Sequence, residues 1–241
     1  GGLMLSLKKN GFFGGIQLSG HKLYGERGRT RSVALPAELV FPLGQHIGAS
    51  ARPVVAVGDT VQRGDLLARP QGVVSAAIHA STSGQILAIE ERPIPHASGL
   101  SAPCIVLQAD GQDSARTQPL WALPSNWREH PREDLVEIIR QAGIVGLGGA
   151  AFPAAVKLNP GDTARVDTLI LNGAECEPYI SCDGAAMTED AEAIAHGAEL
   201  LAHLTGARQV FIGIEDHNAA ALKAMRDACR ELNPRQLKAV A

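Results

Sequence analysis

Aromatic side chains make up only 4% of the 241 residues, too few for the stacked platforms that hold single-stranded nucleic acid. The formal charge of −3 lacks the basic footprint of a polyanion binder, so no nucleic acid is expected as a partner. Cysteine is scarce and scattered. Cys104, Cys176, Cys182 and Cys229 form no C-x-x-C pair, so no zinc or iron–sulfur site built from this chain alone is expected, and no metal ligands are assigned. Such spacing suits reduced thiols better than a secreted disulfide framework. No apolar run approaches the roughly 18 residues of a membrane-spanning helix. The opening "GGLMLSLKKN" places its charges after a very short apolar run, the reverse of a secretory signal. Lysine is missing altogether between Lys22 and Lys157.

What remains is a composition of ordinary globular type, 45% hydrophobic and 20% charged. A chain of this length can bury a core without disulfides or metals. The first 32 residues read as an N-terminal extension. Both ends look cut: the chain opens on Gly-Gly, and "QLKAV" near the C-terminus reads as the start of an unfinished strand.

From 33 to 110 the pattern is β. The stretch "PVVAVGDTVQRGDLLARP" carries Gly58-Asp59 and Gly64-Asp65 beside alternating Val and Leu, and Gly-Asp pairs supply the positive φ of tight turns. "HASTSGQILAIE" repeats the theme at Ser83-Gly84. Short strands at close spacing predict a small sandwich or barrel. The "VGDxVxxGDxL" corner resembles the barrel-sandwich hybrid fold of lipoyl and biotinyl carrier domains. A carrier needs a lysine at a hairpin tip, and none is present, so the module is read as structural. His46, His79 and His96 are read as hydrogen-bonded polar residues and not as ligands. Residues 111–131 look like a linker pinned by Trp121 and Trp127.

From 132 to 241 helices and strands alternate. "PREDLVEIIRQAG" has acids in its first turn, a Leu135, Ile138, Ile139, Ala142 stripe and Gly143 as its stop signal. "DTLILNGAE" reads as a buried strand and 189–204 as a helix. "RQVFIGIED" reads as a second strand, followed by a helix capped by Asp216. This order predicts a partly parallel, three-layer α/β domain.

Between the first helix and strand lies "GIVGLGGAAFPAAVKL", residues 143–158. Gly146, Gly148 and Ala151 match the spacing of the dinucleotide fingerprint, but a helix precedes them where that fingerprint requires a strand. The run is either a helix-ending loop with flexible glycines or a loop that contacts a ligand. A second dense stretch, "LILNGAECEPYISCD", brings Asn172, Glu175 and Glu177 to a strand end, the edge at which α/β sheets bind ligands. Glu215 ends the following strand on the same expected edge.

Together, "GLGGAAFPAAVKL" and "NGAECEPYISCD" resemble the RnfC subunit of the Rnf electron-transport complex, and less closely the NADH-binding flavoprotein subunit of respiratory complex I. In the latter the patterns run "GRGGAGFPTGLKW" and "NADEGEPGTFKD". The likeness to RnfC extends over nearly the whole chain, including "FPLGQHIGA" and "HASTSG". It implies FMN as cofactor, with Gly146, Gly148, Gly149 and Lys157 on its phosphate side and Asn172, Glu175 and Glu215 nearby. It implies NADH as substrate, with Phe152 and Glu177 on the nicotinamide side and Glu177 as the catalytic acid. It further implies [4Fe–4S] clusters in the full-length subunit but outside this chain. The other Rnf subunits are the implied partners, at the cytoplasmic face of the bacterial inner membrane.

The chain departs from the complex I pattern at Leu147, Ala151 and Ala174. If position 151 needs positive φ, alanine there is strained by about 1 kcal/mol or more. The resulting expectation is a barrel-sandwich module followed by an FMN-binding-type α/β domain, truncated at its C-terminus and inactive as an isolated fragment. It would belong to a complex coupling electron transfer to ion translocation. The alternative is a docking scaffold of that complex with no flavin bound.

Overall fold

The two Gly-Asp corners make the same set of bonds. Gly58 and Gly64 hold φ at 95° and 91°, a region open to glycine and strained for other residues. The aspartate after each closes a turn, Asp59 N–H donating to Ala56 O and Asp65 N–H to Gln62 O. Its carboxylate accepts the amide of Ala56 or Gln62 in return, each at 2.7 Å. Each corner then exchanges a reciprocal pair with a distant segment. Gly58 N–H donates to Ile86 O and Ile86 N–H to Asp59 O, while Gly64 N–H donates to Ala80 O and Ala80 N–H to Asp65 O. The six-residue spacing in sequence is a repeat of structure.

The protein is represented by a computed structural model that describes residues 19–22, 30–96, 98–117, 121–147, 149–158, 165–175, 177–233 and 235–241. Gly148 lies outside the described residues.

Around the corners run β1 (Glu38–Pro42), β2 (Arg52–Pro53), β3 (Thr60–Val61), β4 (Leu66–Arg69), β5 (Ile78–His79), β6 (Gly84–Pro93) and β7 (Ser101–Ala109). They form a four-stranded sheet in the order β1-β7-β6-β3 and a three-stranded sheet β2-β4-β5, with antiparallel pairing throughout. Leu67, Ile86, Ile105 and Leu107 are fully buried in the core of this module. The expected linker is tied down. Arg116 lies 2.6 Å from the Asp65 carboxylate, and Trp121 Nε1 donates to His79 Nε2 at 3.0 Å.

The remaining elements are α1 (Arg132–Gln141), α2 (Ala154–Lys157), β8 (Thr168–Gly173), α3 (Cys182–Glu189), α4 (Ala191–Thr205), β9 (Gln209–Ile214), α5 (Ala219–Leu232) and β10 (Leu237–Val240). The strands form a sheet in the order β10-β9-β8, so strands consecutive in the chain are neighbours, with helices in the connections. The architecture is mixed α/β. Leu135 and Ile139 of α1 pack with Ala155, Leu158 and Leu204, and Trp127 lies against this cluster. The chain divides into two compact units. One is 31–169 with 197–210, and holds the barrel module, α1 and the glycine loop; the other is 1–30 with 170–196 and 211–241, and holds the acidic strand-end loop, α3 and α5.

Several expectations are corrected here. The helix read at 189–204 is α4, and α3 precedes it unannounced. Only Gly184 and Met187 of α3 are buried, so its sequence carries no apolar stripe to read. The cap of α5 is Asn218, whose Oδ1 accepts from Ala221 N–H at 3.2 Å; it stands directly before the first helical residue, where Asp216 does not. Strand β8 alternates in burial, with Ile170 69% exposed, because it is the end strand of its sheet.

Candidate functional site

Strand β8 delivers the acidic loop. Asn172 is exposed, and its Oδ1 accepts from Ala174 N–H at 3.1 Å, a local bond typical of asparagine where a strand gives way to a turn. Glu175 points inward and is buried. Its Oε1 accepts from Asp183 N–H at 2.9 Å and its Oε2 from Gly184 N–H at 3.0 Å. These are first-turn amides of α3, which no helical carbonyl can satisfy. Burial works to raise the Glu175 pKa, but the Asp183 and Gly184 amides and the Cys182 thiol outweigh it and hold the carboxyl below its ordinary value. Burial, and next the Glu175 charge, push Asp183 upward. Cys182, Asp183 and Glu175 bring possible ligand atoms within 4.8 Å of one another, yet both Glu175 oxygens are occupied by amides.

A cavity opens beside Glu175, lined among others by Lys22, Ser181, Glu215, His217 and Asn218. Glu215 follows β9 directly, and its Oε2 lies 3.4 Å from His217 Nε2. Gly184 lets Asn218 approach closely here, since a Cβ would fall 2.4 Å from Asn218 Nδ2 and displace that side chain. Lys22 enters from far away in sequence and donates from Nζ to Glu175 O and Ile180 O, both at 2.6 Å.

Glu177 is exposed and begins a turn, with Ile180 N–H donating back to its carbonyl at 3.4 Å. Pro178 and Tyr179 are the central residues. Tyr179 holds φ at 67°, the value a type II turn demands of its third residue and normally reserves for glycine. A side chain in that region costs about 1–2 kcal/mol.

The glycine loop belongs to the other unit. Gly146 N–H donates to Phe152 O at 2.8 Å and Ala154 N–H to Ile144 O at 2.9 Å, so the loop is closed across its own neck. The Gly146 amide is therefore engaged, and what this residue offers is the lack of a side chain. A Cβ there would lie 3.1 Å from Lys157 Nζ. The Lys157 ammonium stands 5.8 Å from the Phe152 ring centre, and Lys157 is exposed. Gly149 holds φ at 93°, and Ala151 does adopt a positive φ, 45°. Ala151→Gly is expected to stabilise the protein by about 0.5–1 kcal/mol, relief of strain exceeding glycine's added unfolded-state entropy; a urea midpoint measures it.

Of the expected site residues, Glu175 and Glu215 line one cavity. Asn172 and Glu177 belong to the same loop region without lining that cavity. Gly146, Gly149, Phe152 and Lys157 form a second cluster. Sequence reasoning missed Lys22, for which the sequence carries no signal, since 153 residues separate it from Glu175. It missed Asn218 too, which a cap-position argument would have found.

Two families match. Residues 10–112 match the RnfC barrel sandwich hybrid domain and residues 139–240 the Nuo51 FMN-binding domain. The chain is 45% identical over 227 residues to the RnfC-type subunit of the ion-translocating oxidoreductase complex of Pseudomonas aeruginosa, a match covering 91% of this chain and 28% of the relative. It is 43% identical to the equally named protein of Rhodobacter capsulatus, over 88% of this chain and 40% of the relative. It is 39% identical to the RnfC-type subunit of the proton-translocating ferredoxin:NAD(+) oxidoreductase complex of Clostridium ljungdahlii, over 90% and 47%. The chain thus spans from 28% to 47% of the length of these relatives. Among solved structures, the NAD+-reducing [NiFe]-hydrogenase in the H2-reduced state aligns at 22% identity and a TM-score of 0.40, over 51% of this chain and 23% of that one. By its two domain matches and its identity to these subunits, the chain belongs to the RnfC family.

Proposed function

We propose that this chain is the flavin-facing part of an electron-transfer subunit in an ion-translocating oxidoreductase complex. It works at the cytoplasmic face of the bacterial inner membrane beside the other subunits of that complex, and no helix among the described residues is long and apolar enough to cross a membrane. The observation that carries the reading is a Nuo51-type FMN-binding match over a loop whose bare Gly146 leaves room for the Lys157 ammonium. A phosphate monoester bears roughly −1.5 to −2 charges at neutral pH. An exposed ammonium beside a position without a side chain fits such a group.

When bound, FMN supplies the conversion between a two-electron hydride donor and one-electron carriers. The chain's own residues orient and balance charge. Lys157 offsets the phosphate. Asn172, whose Oδ1 is engaged with Ala174 N–H, would offer its Nδ2 as a donor. Glu177 is the candidate acid toward NADH, Phe152 a candidate NADH contact on its own unit, and Glu215 a further acid. Glu175 sets the loop by fixing the start of α3 and acts indirectly. The α/β part is read as a three-layer domain, and the [4Fe–4S] centres belong to the full-length subunit outside this chain. The isolated chain is expected to transfer no electrons.

The test uses the purified full-length subunit. Its absorbance is expected to carry flavin and cluster bands, and Glu177→Gln is expected to lower NADH oxidation about tenfold, the lower end of the range for one lost charged hydrogen bond. Absence of a flavin band, with no response to NADH, contradicts the reading. A second reading, a docking scaffold, is favoured by one observation: the Gly146 amide and the Glu175 carboxylate both bond internally. Crosslinking to the membrane subunits without flavin affinity would support it.

A further inference from the structure

The Glu177–Ile180 turn holds Tyr179 in a conformation that side chains avoid, and contacts from one distant segment converge on it. Lys22 Nζ donates to Glu175 O, ahead of the turn, and to Ile180 O, at its end. Tyr179 N–H donates to Gly20 O at 2.8 Å. The His21 ring stacks on the Tyr179 ring, centres 4.8 Å apart and planes within 6°. Strained backbone persists only where its surroundings over-determine it, and such strain concentrates at functional loops.

We propose that Gly20–Lys22 is a strap that fixes the acidic loop, and that Lys22 is a positioning residue for Glu177. An ammonium carries three donors and no acceptor, so it can bridge two carbonyls that face each other across a turn. A neutral chain of the same length cannot. Arginine offers forked donors and keeps the charge, so it preserves the bridge. The role of Glu177 in NADH binding rests on the function proposed above; the strap itself does not.

The test compares Lys22→Met and Lys22→Arg with the natural residue in the full-length subunit. Chymotrypsin cleavage between Tyr179 and Ile180, read by mass spectrometry, is expected to accelerate about tenfold in Lys22→Met and less than twofold in Lys22→Arg. The KM for NADH is expected to rise about tenfold in Lys22→Met with kcat within threefold, and to recover in Lys22→Arg. Unchanged cleavage in Lys22→Met, or equal acceleration in both variants, overturns the strap. Faster cleavage with an unchanged KM overturns the positioning role. Faster cleavage in Lys22→Met alone, with no variant and not even the natural protein oxidising NADH, sustains the strap and removes the flavin reading.

Discussion

Gly143→Ala is expected to destabilise the barrel-bearing unit by about 3 kcal/mol. Gly143 stands just past α1, with φ at 73° and its amide bonded to Arg140 O, the left-handed helix ending that glycine fills. An alanine there costs at least about 1 kcal/mol in backbone strain. Its Cβ would also fall 2.4 Å from Ala77 O, a backbone atom beside β5 of the barrel module. Relieving that overlap means moving main chain, and overpacking of this kind adds about 1–3 kcal/mol. Thermal unfolding should report the loss as a drop of about 6–12 °C for a protein of this size. Because the glycine loop begins at this residue, the same substitution is expected to weaken whatever that loop binds.

Glu175→Ala is expected to cost about 2 kcal/mol at neutral pH. It removes a carboxylate accepting two amides at the start of α3; a charged hydrogen bond contributes about 1.5–3 kcal/mol net, and water from the adjoining cavity can reach the freed amides and offset part of the loss. The pH dependence carries a sign. The folded pKa of Glu175 lies below its ordinary value, so its stabilisation is complete above the unfolded carboxyl pKa of about 4.3. It disappears as pH falls through the lower, folded value. Asp183 shifts the other way, so its contribution is present below its unfolded pKa and fades as pH rises through the folded one. Part of that upward shift comes from Glu175, and removing Glu175 returns some stability through Asp183. The gap between Glu175→Ala and the natural protein should therefore be widest just above the ordinary carboxyl range, shrink somewhat toward neutral pH as Asp183 ionises beside Glu175, and narrow below about pH 4, as denaturant midpoints across that range will record.

How much was legible follows from how local each cause is. The Gly-Asp corners, the end of α1 at Gly143 and the acidic strand end were readable because each is decided within four residues. The positive φ at Ala151 was foreseeable from a glycine pattern broken at that position. Glu175 was read as a ligand-facing acid, and its inward turn depends on α3, a helix without an apolar stripe. Lys22 was unreadable as a partner of Glu175, since 153 residues separate the bonded groups. The Gly146 amide was expected to face a ligand, and its bond to Phe152 O arises from the closure of the loop neck, which spacing alone does not disclose.

The central claim is that the loop bearing Gly146 and Lys157 serves the phosphate of a flavin nucleotide. Equilibrium titration of the full-length subunit with FMN, and separately with riboflavin, tests it most directly. Lys157→Ala is expected to weaken FMN binding about tenfold, one charge-assisted hydrogen bond's worth, while leaving riboflavin affinity unchanged. Equal FMN affinity in the two proteins, or an equal loss for riboflavin, would contradict the account.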